Sequence, residues 1–95
     1  MIIAVDIDGV LCEEMENNWQ YYHKCVPIQH SIDLVNKLFS NGHIIVIYSA
    51  RLNCDYIVTK DWLDKHNVRY HKLILGKFKA DKYVDDRHDS LENLI

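Results

Sequence analysis

Apolar residues fall along this chain in short runs, separated by stretches in which they recur every three or four positions. The first run, Ile2 to Ile7, is β-branched and nearly continuous, as in a strand buried on both faces. Residues 9 to 27 are polar and aromatic without a clean period, and predict a loop holding a turn of helix or a small hairpin. From Ile28 the period becomes helical. Ile28, Ile32, Val35 and Phe39 form one stripe, widened by Leu34 and Leu38. His30-Ser31 offers this helix a start and Asn41-Gly42 a stop. A second strand is predicted over Ile44 to Tyr48, ending abruptly at Ser49. A second helix follows, capped by Asn53 or Asp55, with Val58 and Trp62 on one face and Tyr56, Thr59 and Leu63 together on another. Asn67 can end it in a left-handed conformation. "VRYHKLIL" (68–75) predicts a third strand ending at Gly76, and "KYVDD" (82–86) a short fourth. Leu91 to Ile95 reads as a final helical turn.

Strands alternating with helices imply a parallel sheet joined by right-handed crossovers. The expected architecture is α/β, with about four parallel strands and flanking helices. In such sheets ligands bind beyond the carboxyl ends of the strands. Four separate segments send polar groups there: Asp6 and Asp8, Ser49, the Gly76-Lys77 turn, and Asp85-Asp86.

Composition narrows this picture. The chain has 95 residues, 48% hydrophobic, which suits one domain over 1–95 and leaves no visible linker. A net charge of −3 argues against a general nucleic-acid surface. No apolar run approaches the roughly 20 residues that span a bilayer, and the N-terminus lacks the basic start of a secretion signal. Cys12, Cys25 and Cys54 are odd in number and without metal-ligand spacing, so a reducing, cytoplasmic setting is expected. Cys54, near a helix start with no base beside it, is expected to be buried and structural. The six histidines also lack the spacing of a zinc site.

The acids need a reason. Asp6, Asp8, Asp85 and Asp86 crowded together would repel one another unless a cation joined them. Magnesium suits a few carboxylates together with a phosphate oxygen. Ser49 adds a hydroxyl and a lysine adds positive charge, both natural partners of phosphate, while Gly9 allows close backbone approach. Phosphoryl transfer fits: one carboxylate attacks phosphorus and a second protonates the leaving oxygen, then activates water. Each part taken alone has a plainer reading. A lone D-x-D is a weak motif, Asp85-Asp86 can be a solvated turn, Ser49 a cap, and Lys72, Lys77, Lys79 and Lys82 a solvated basic stretch.

Together these residues resemble a known pattern. "DIDGV" is similar to the first motif, D-x-D-G-T/V, of the haloacid dehalogenase-like phosphohydrolases. "IVIYSAR" resembles their second motif, and "VDD" the double-acid form of the fourth. Residues 42–51, 62–66 and 76–86 resemble the small capless members of capsular-polysaccharide-biosynthesis type, although Phe78 stands where those usually carry proline. The resemblance runs from about Ile2 to Asp89. It implies a minimal Rossmann-like core without a cap domain, and a magnesium-dependent phosphatase. Asp6 would be the nucleophile and a metal ligand, and Asp8 the general acid/base, with its backbone carbonyl also on the metal. Ser49 would hold the transferring phosphoryl group, with Gly9 and Ala50 lining its site. Asp85 and Asp86 would complete the metal ligands. The third-motif lysine would be Lys77, with Lys79 and Lys82 as neighbouring alternatives, and Arg51 would contact phosphate or substrate. Aspartate at position 8, where transport ATPases of the superfamily carry threonine, favours hydrolysis.

Too few residues separate the motifs to hold a cap, so the site should be open. Trp19, Tyr21 and Tyr22 can stack on a sugar or base, or simply pack the loop against the domain. A sugar phosphate or other small phosphometabolite is the expected substrate. A nucleotide or polynucleotide end is the alternative, and a second copy of the chain is a candidate partner protecting the sheet edge. A non-catalytic receiver-like signalling or binding domain is the competing class. Receivers carry their phospho-acceptor aspartate after the third strand, where this chain has Leu73-Ile74-Leu75-Gly76.

Overall fold

The computed structural model describes residues 1–14 and 19–76, and the side chains of residues 1–14 and 22–76. Strand β1 (Ile2–Val5) leads through a turn and a 3₁₀ helix (Trp19–Lys24) to helix α1 (Gln29–Ser40). Strand β2 (Ile44–Tyr48), a second 3₁₀ turn (Asn53–Asp55), helix α2 (Tyr56–Lys65) and strand β3 (Lys72–Ile74) follow. The described strands form one parallel sheet in the order β1-β2-β3. The expected fourth strand and the terminal turn at 91–95 lie outside the described residues. Short 3₁₀ and helical segments occupy the connections between the described strands, and no cap domain occurs among the described residues.

Register decides where the polar strand ends go. Val5 pairs with Ile47 and Tyr48 with Ile74, so Asp6, Ser49 and Gly76 leave the sheet along the same edge. The pairing runs past the strands: the Ser49 amide donates to the Ile74 carbonyl at 3.0 Å, and the Gly76 amide to the Arg51 carbonyl at 2.8 Å.

Burial corrects one expectation. β1 and β2 are not buried on both faces. Ile3, Val5, Ile45, Ile47 and Leu73 join Ile32, Val35, Leu38, Trp62 and Leu63 in one core, so both helices contribute to the same side of the sheet. The alternate residues Ile2 and Ile44 remain 71% and 46% exposed. β1 and β3 are also shorter than their apolar runs. β1 stops at Val5 because the chain turns at Ile7, whose carbonyl accepts the amides of Val10, Leu11 and Cys12.

The helix ends are mixed. Asn41-Gly42 does stop α1, with Gly42 at φ 92°, and Asn67 takes a left-handed φ of 59° after α2. The anticipated N-terminal caps do not form. α1 starts after Ile28, not at His30-Ser31, and neither helix has a side-chain cap hydrogen bond. On α2, Thr59, Trp62 and Leu63 are buried, whereas Tyr56 faces out.

Trp62 links α2 to the loop by donating from Nε1 to the Cys25 carbonyl at 2.9 Å. Trp62→Phe keeps most of the buried ring but removes this hydrogen bond. It should cost about 1–2 kcal/mol in urea denaturation. An unchanged midpoint would show that the bond contributes nothing.

Candidate active site

The turn after β1 sets the site. Gly9 has φ +83°, a conformation open to glycine at little cost, and its amide donates to the Cys12 carbonyl at 2.8 Å. The tight turn holds Asp8 at the sheet edge. Asp6 is half-buried just beyond β1, and its Oδ1 accepts the Ile7 amide at 2.7 Å.

Arg51 is the residue that joins the first two motifs. Its Nε donates to Asp8 Oδ2 at 2.9 Å and its Nη2 to Asp8 Oδ1 at 2.7 Å. This is a bidentate fork across 43 residues of sequence, the strong geometry for an arginine–carboxylate pair. Nη1 donates to Thr59 Oγ1 on α2 at 3.1 Å, and the Tyr22 ring lies 3.7 Å from the guanidinium carbon, a cation–π contact. The Arg51 side chain is 1% exposed and that of Asp8 27%. Burial by itself would lower the guanidinium pKa. Hydrogen bonding and charge attraction from Asp8, with the nearby thiols adding, leave it raised.

Arg51 was expected to contact phosphate or substrate; here its guanidinium is buried and its three nitrogens are engaged with Asp8 and Thr59. Of the loop aromatics, only the Tyr22 side chain is among those described, and its ring packs on Arg51. Ser49 is buried, and its Oγ accepts the Arg51 amide at 3.2 Å. A hydroxyl that accepts this bond still carries its own proton to donate. Ala50 is half-buried between them.

Two further residues touch this group that sequence reasoning did not assign to it. Leu11 and Glu13 pair with Ile28 and Val26 through backbone bonds of 2.8 and 2.9 Å. Pro27 falls opposite Cys12, where no amide is required of it. This pairing carries Cys25 next to Cys12, and both thiols are buried. Burial, with Cys25 and Asp8 adding, raises the Cys12 pKa far above its ordinary value, so the thiol is protonated at neutral pH. Linear spacing carries no signal of this meeting. Cys54 reverses expectation: it is exposed.

Lys77, Lys79, Lys82, Asp85 and Asp86 lie outside the described residues. Lys72 is described, but it opens β3 at the end of the strand away from Asp6 and Ser49. A concavity lined by His23, Cys54, Ile57, Trp62 and Lys65 contains none of the residues gathered at the sheet edge. No described helix is long and apolar enough to cross a membrane.

No protein-family model matches the chain, and no curated protein matches it. Solved structures do. A structural-genomics target from Vibrio cholerae superposes with a TM-score of 0.81 at 26% identity, over 97% of this chain and 85% of that one. A chain of the Pnkp1/Rnl/Hen1 RNA repair complex gives 0.70 at 18% identity, over 90% of this chain but 28% of the other. The D,D-heptose 1,7-bisphosphate phosphatase of B. bronchiseptica, complexed with magnesium and phosphate, gives 0.65 at 12% identity, over 84% and 51%. The chain thus spans most of the first and about half or less of the other two. The architecture agrees with the haloacid dehalogenase-like fold.

Proposed function

We propose that the chain is a magnesium-dependent phosphomonoester hydrolase of the haloacid dehalogenase-like type, with a sugar phosphate or similar small phosphometabolite as substrate. The observation that carries this reading is the Asp8–Arg51 fork. It joins the D-x-D segment to the segment bearing Ser49 at one edge of a parallel sheet, as a single-site phosphatase requires. The resemblance of residues 76–86 to the capless capsular-polysaccharide type favours the sugar phosphate. An odd number of cysteines without metal-ligand spacing favours a reducing, cytoplasmic setting.

The donors fit magnesium in kind. Asp6 offers hard carboxylate oxygens at the sheet edge, and in this reading the Asp8 carbonyl, Asp85 and Asp86 complete the set. The Asp8, Cys12 and Cys25 side chains also cluster, but two sulfurs beside a guanidinium do not suit that ion. Bound there, magnesium offsets the negative charge of the phosphate and the developing charge on its oxygens.

The Asp6 carboxylate attacks phosphorus, forming an acyl phosphate as the ester P–O bond breaks. Asp8 gives its proton to the leaving oxygen. It then takes one from water, which attacks phosphorus and frees Asp6 and inorganic phosphate. Arg51 fixes the Asp8 carboxylate in direction, and each of its oxygens retains a lone pair for the proton. The Ser49 hydroxyl, the Ala50 amide and Lys77 (or its neighbours Lys79 and Lys82) bind the phosphoryl oxygens, while Gly9, whose amide is given to the Cys12 carbonyl, leaves room for their approach.

A panel of sugar phosphates, nucleotides and 3′- or 5′-phosphorylated oligonucleotides, with and without magnesium, tests this reading. Metal-dependent phosphate release, fastest on small esters, is expected. Preference for polynucleotide ends would move the substrate to the alternative class. No release from any ester with magnesium present would remove the enzyme reading.

A further inference from the structure

Two buried thiols lie against the Asp8–Arg51 pair, and no catalytic step above uses them. The Sγ atoms of Cys12 and Cys25 and an oxygen of Asp8 all fall within 4.8 Å of one another. Nη2 of Arg51 reaches all three residues, at 2.7 Å from Asp8 Oδ1, 3.8 Å from Cys12 Sγ and 3.6 Å from Cys25 Sγ. A soft cation would compete there with a guanidinium that already supplies the positive charge. The pair is therefore better suited to sulfur chemistry than to a metal. Cys12 also directs its S–H at Asp8 Oδ1, at 3.6 Å.

We propose that Cys12 and Cys25 form a modification site, a dithiol that closes reversibly to an intramolecular disulfide and thereby alters the Asp8–Arg51 pair. The antiparallel pairing of residues 11–13 with 26–28 already holds the two cysteines side by side. Bringing sulfurs now within 4.8 Å to the bond length of about 2.05 Å needs a movement of about 3 Å or less, within reach of χ1 rotation and a small backbone shift. Glu13, Glu14, His23 and Lys24 are exposed, so each cysteine lies next to solvent-facing chain and meets an oxidant when the packing around Arg51 opens.

The oxidant is a hydroperoxide, with hydrogen peroxide as the simplest member. One sulfur attacks a peroxide oxygen as the O–O bond breaks; its proton passes to the departing hydroxide, which leaves as water, and a sulfenic acid forms. The second sulfur attacks the first, the S–O bond breaks and a second water leaves. Two thiols lose two electrons and two protons, and the peroxide is reduced to two waters. The new bond removes the S–H aimed at Asp8 and changes both sulfur contacts of Arg51. Oxidation is thus read at the proposed acid/base.

The test uses the full chain carrying Cys54→Ser, which removes the exposed third thiol. After hydrogen peroxide, the intact mass should fall by about 2 Da, the two hydrogens lost. Proteolysis should yield one cross-linked peptide pair joining Cys12 to Cys25, and dithiothreitol should reverse both. Turnover of p-nitrophenyl phosphate should drop at least about fivefold on oxidation and return on reduction. If both thiols remain alkylatable, or gain oxygen without cross-linking, the proposal is overturned. A disulfide that leaves turnover unchanged overturns its link to Asp8. A reduced protein with no turnover would count against the phosphatase reading, while the mass and the peptide pair would still decide the dithiol.

Discussion

Arg51→Ala should lower the unfolding free energy by about 3–4 kcal/mol, a fall in Tm of more than about 12 °C for a domain of this size. Three losses add. The Asp8 carboxyl group, only 27% exposed, loses its two-point partner. Thr59 Oγ1, on a fully buried residue, loses the donor on Nη1. The Tyr22 ring loses the cation it covers, and the space left is too enclosed to be rehydrated cheaply. Arg51→Lys restores the charge but not the fork, and should recover no more than about half of the loss. Asp8→Asn should also destabilise, because it leaves a buried guanidinium without a countercharge. Urea titration followed by tryptophan fluorescence measures all three variants. A loss below about 1 kcal/mol for the alanine variant would mean that the pair is structurally dispensable.

Asp6→Asn should slow phosphate release at least about a thousandfold, because an amide oxygen is a far weaker nucleophile than the carboxylate it replaces. The fold should survive. Asp6 is half-buried and its Oδ1 accepts the Ile7 amide, a bond the asparagine oxygen can also make. Magnesium-supported turnover near the wild-type rate, with the melting curve unchanged, would place the nucleophile elsewhere. The two variants separate chemistry from scaffolding: one should lose rate with little change in stability, while the other loses both.

What the sequence made legible was local. β2 ends at Ser49 as its apolar run predicts, and Asn41-Gly42 and Asn67 terminate helices as their backbone preferences allow. Strand lengths and caps were less legible, because the turn at Ile7 and the packing of α1 on β2 override local preference. Two-sided burial was inferred from apolar runs in β1 and β2. The described helices contribute to one side of the sheet, so the runs overstate what these residues cover. The motif segments holding Asp8 and Arg51 were visible, but their union was not. A contact across 43 residues leaves no periodic trace, and the same arginine in an S-A-R segment reads equally well as a phosphate ligand. The meeting of Cys12 with Cys25 depends on the pairing around Pro27, which no spacing rule anticipates.

The guanidinium of Arg51 touches the turn at Asp8, the ring of Tyr22, the sulfur of Cys25 and Thr59 on α2. Elements that would otherwise fray separately are thereby fastened to one point, so they open as a single cooperative unit. The amides around all four should exchange with solvent water together, and the polypeptide has no inexpensive way to release Tyr22 or Cys25 while keeping Asp8 aligned.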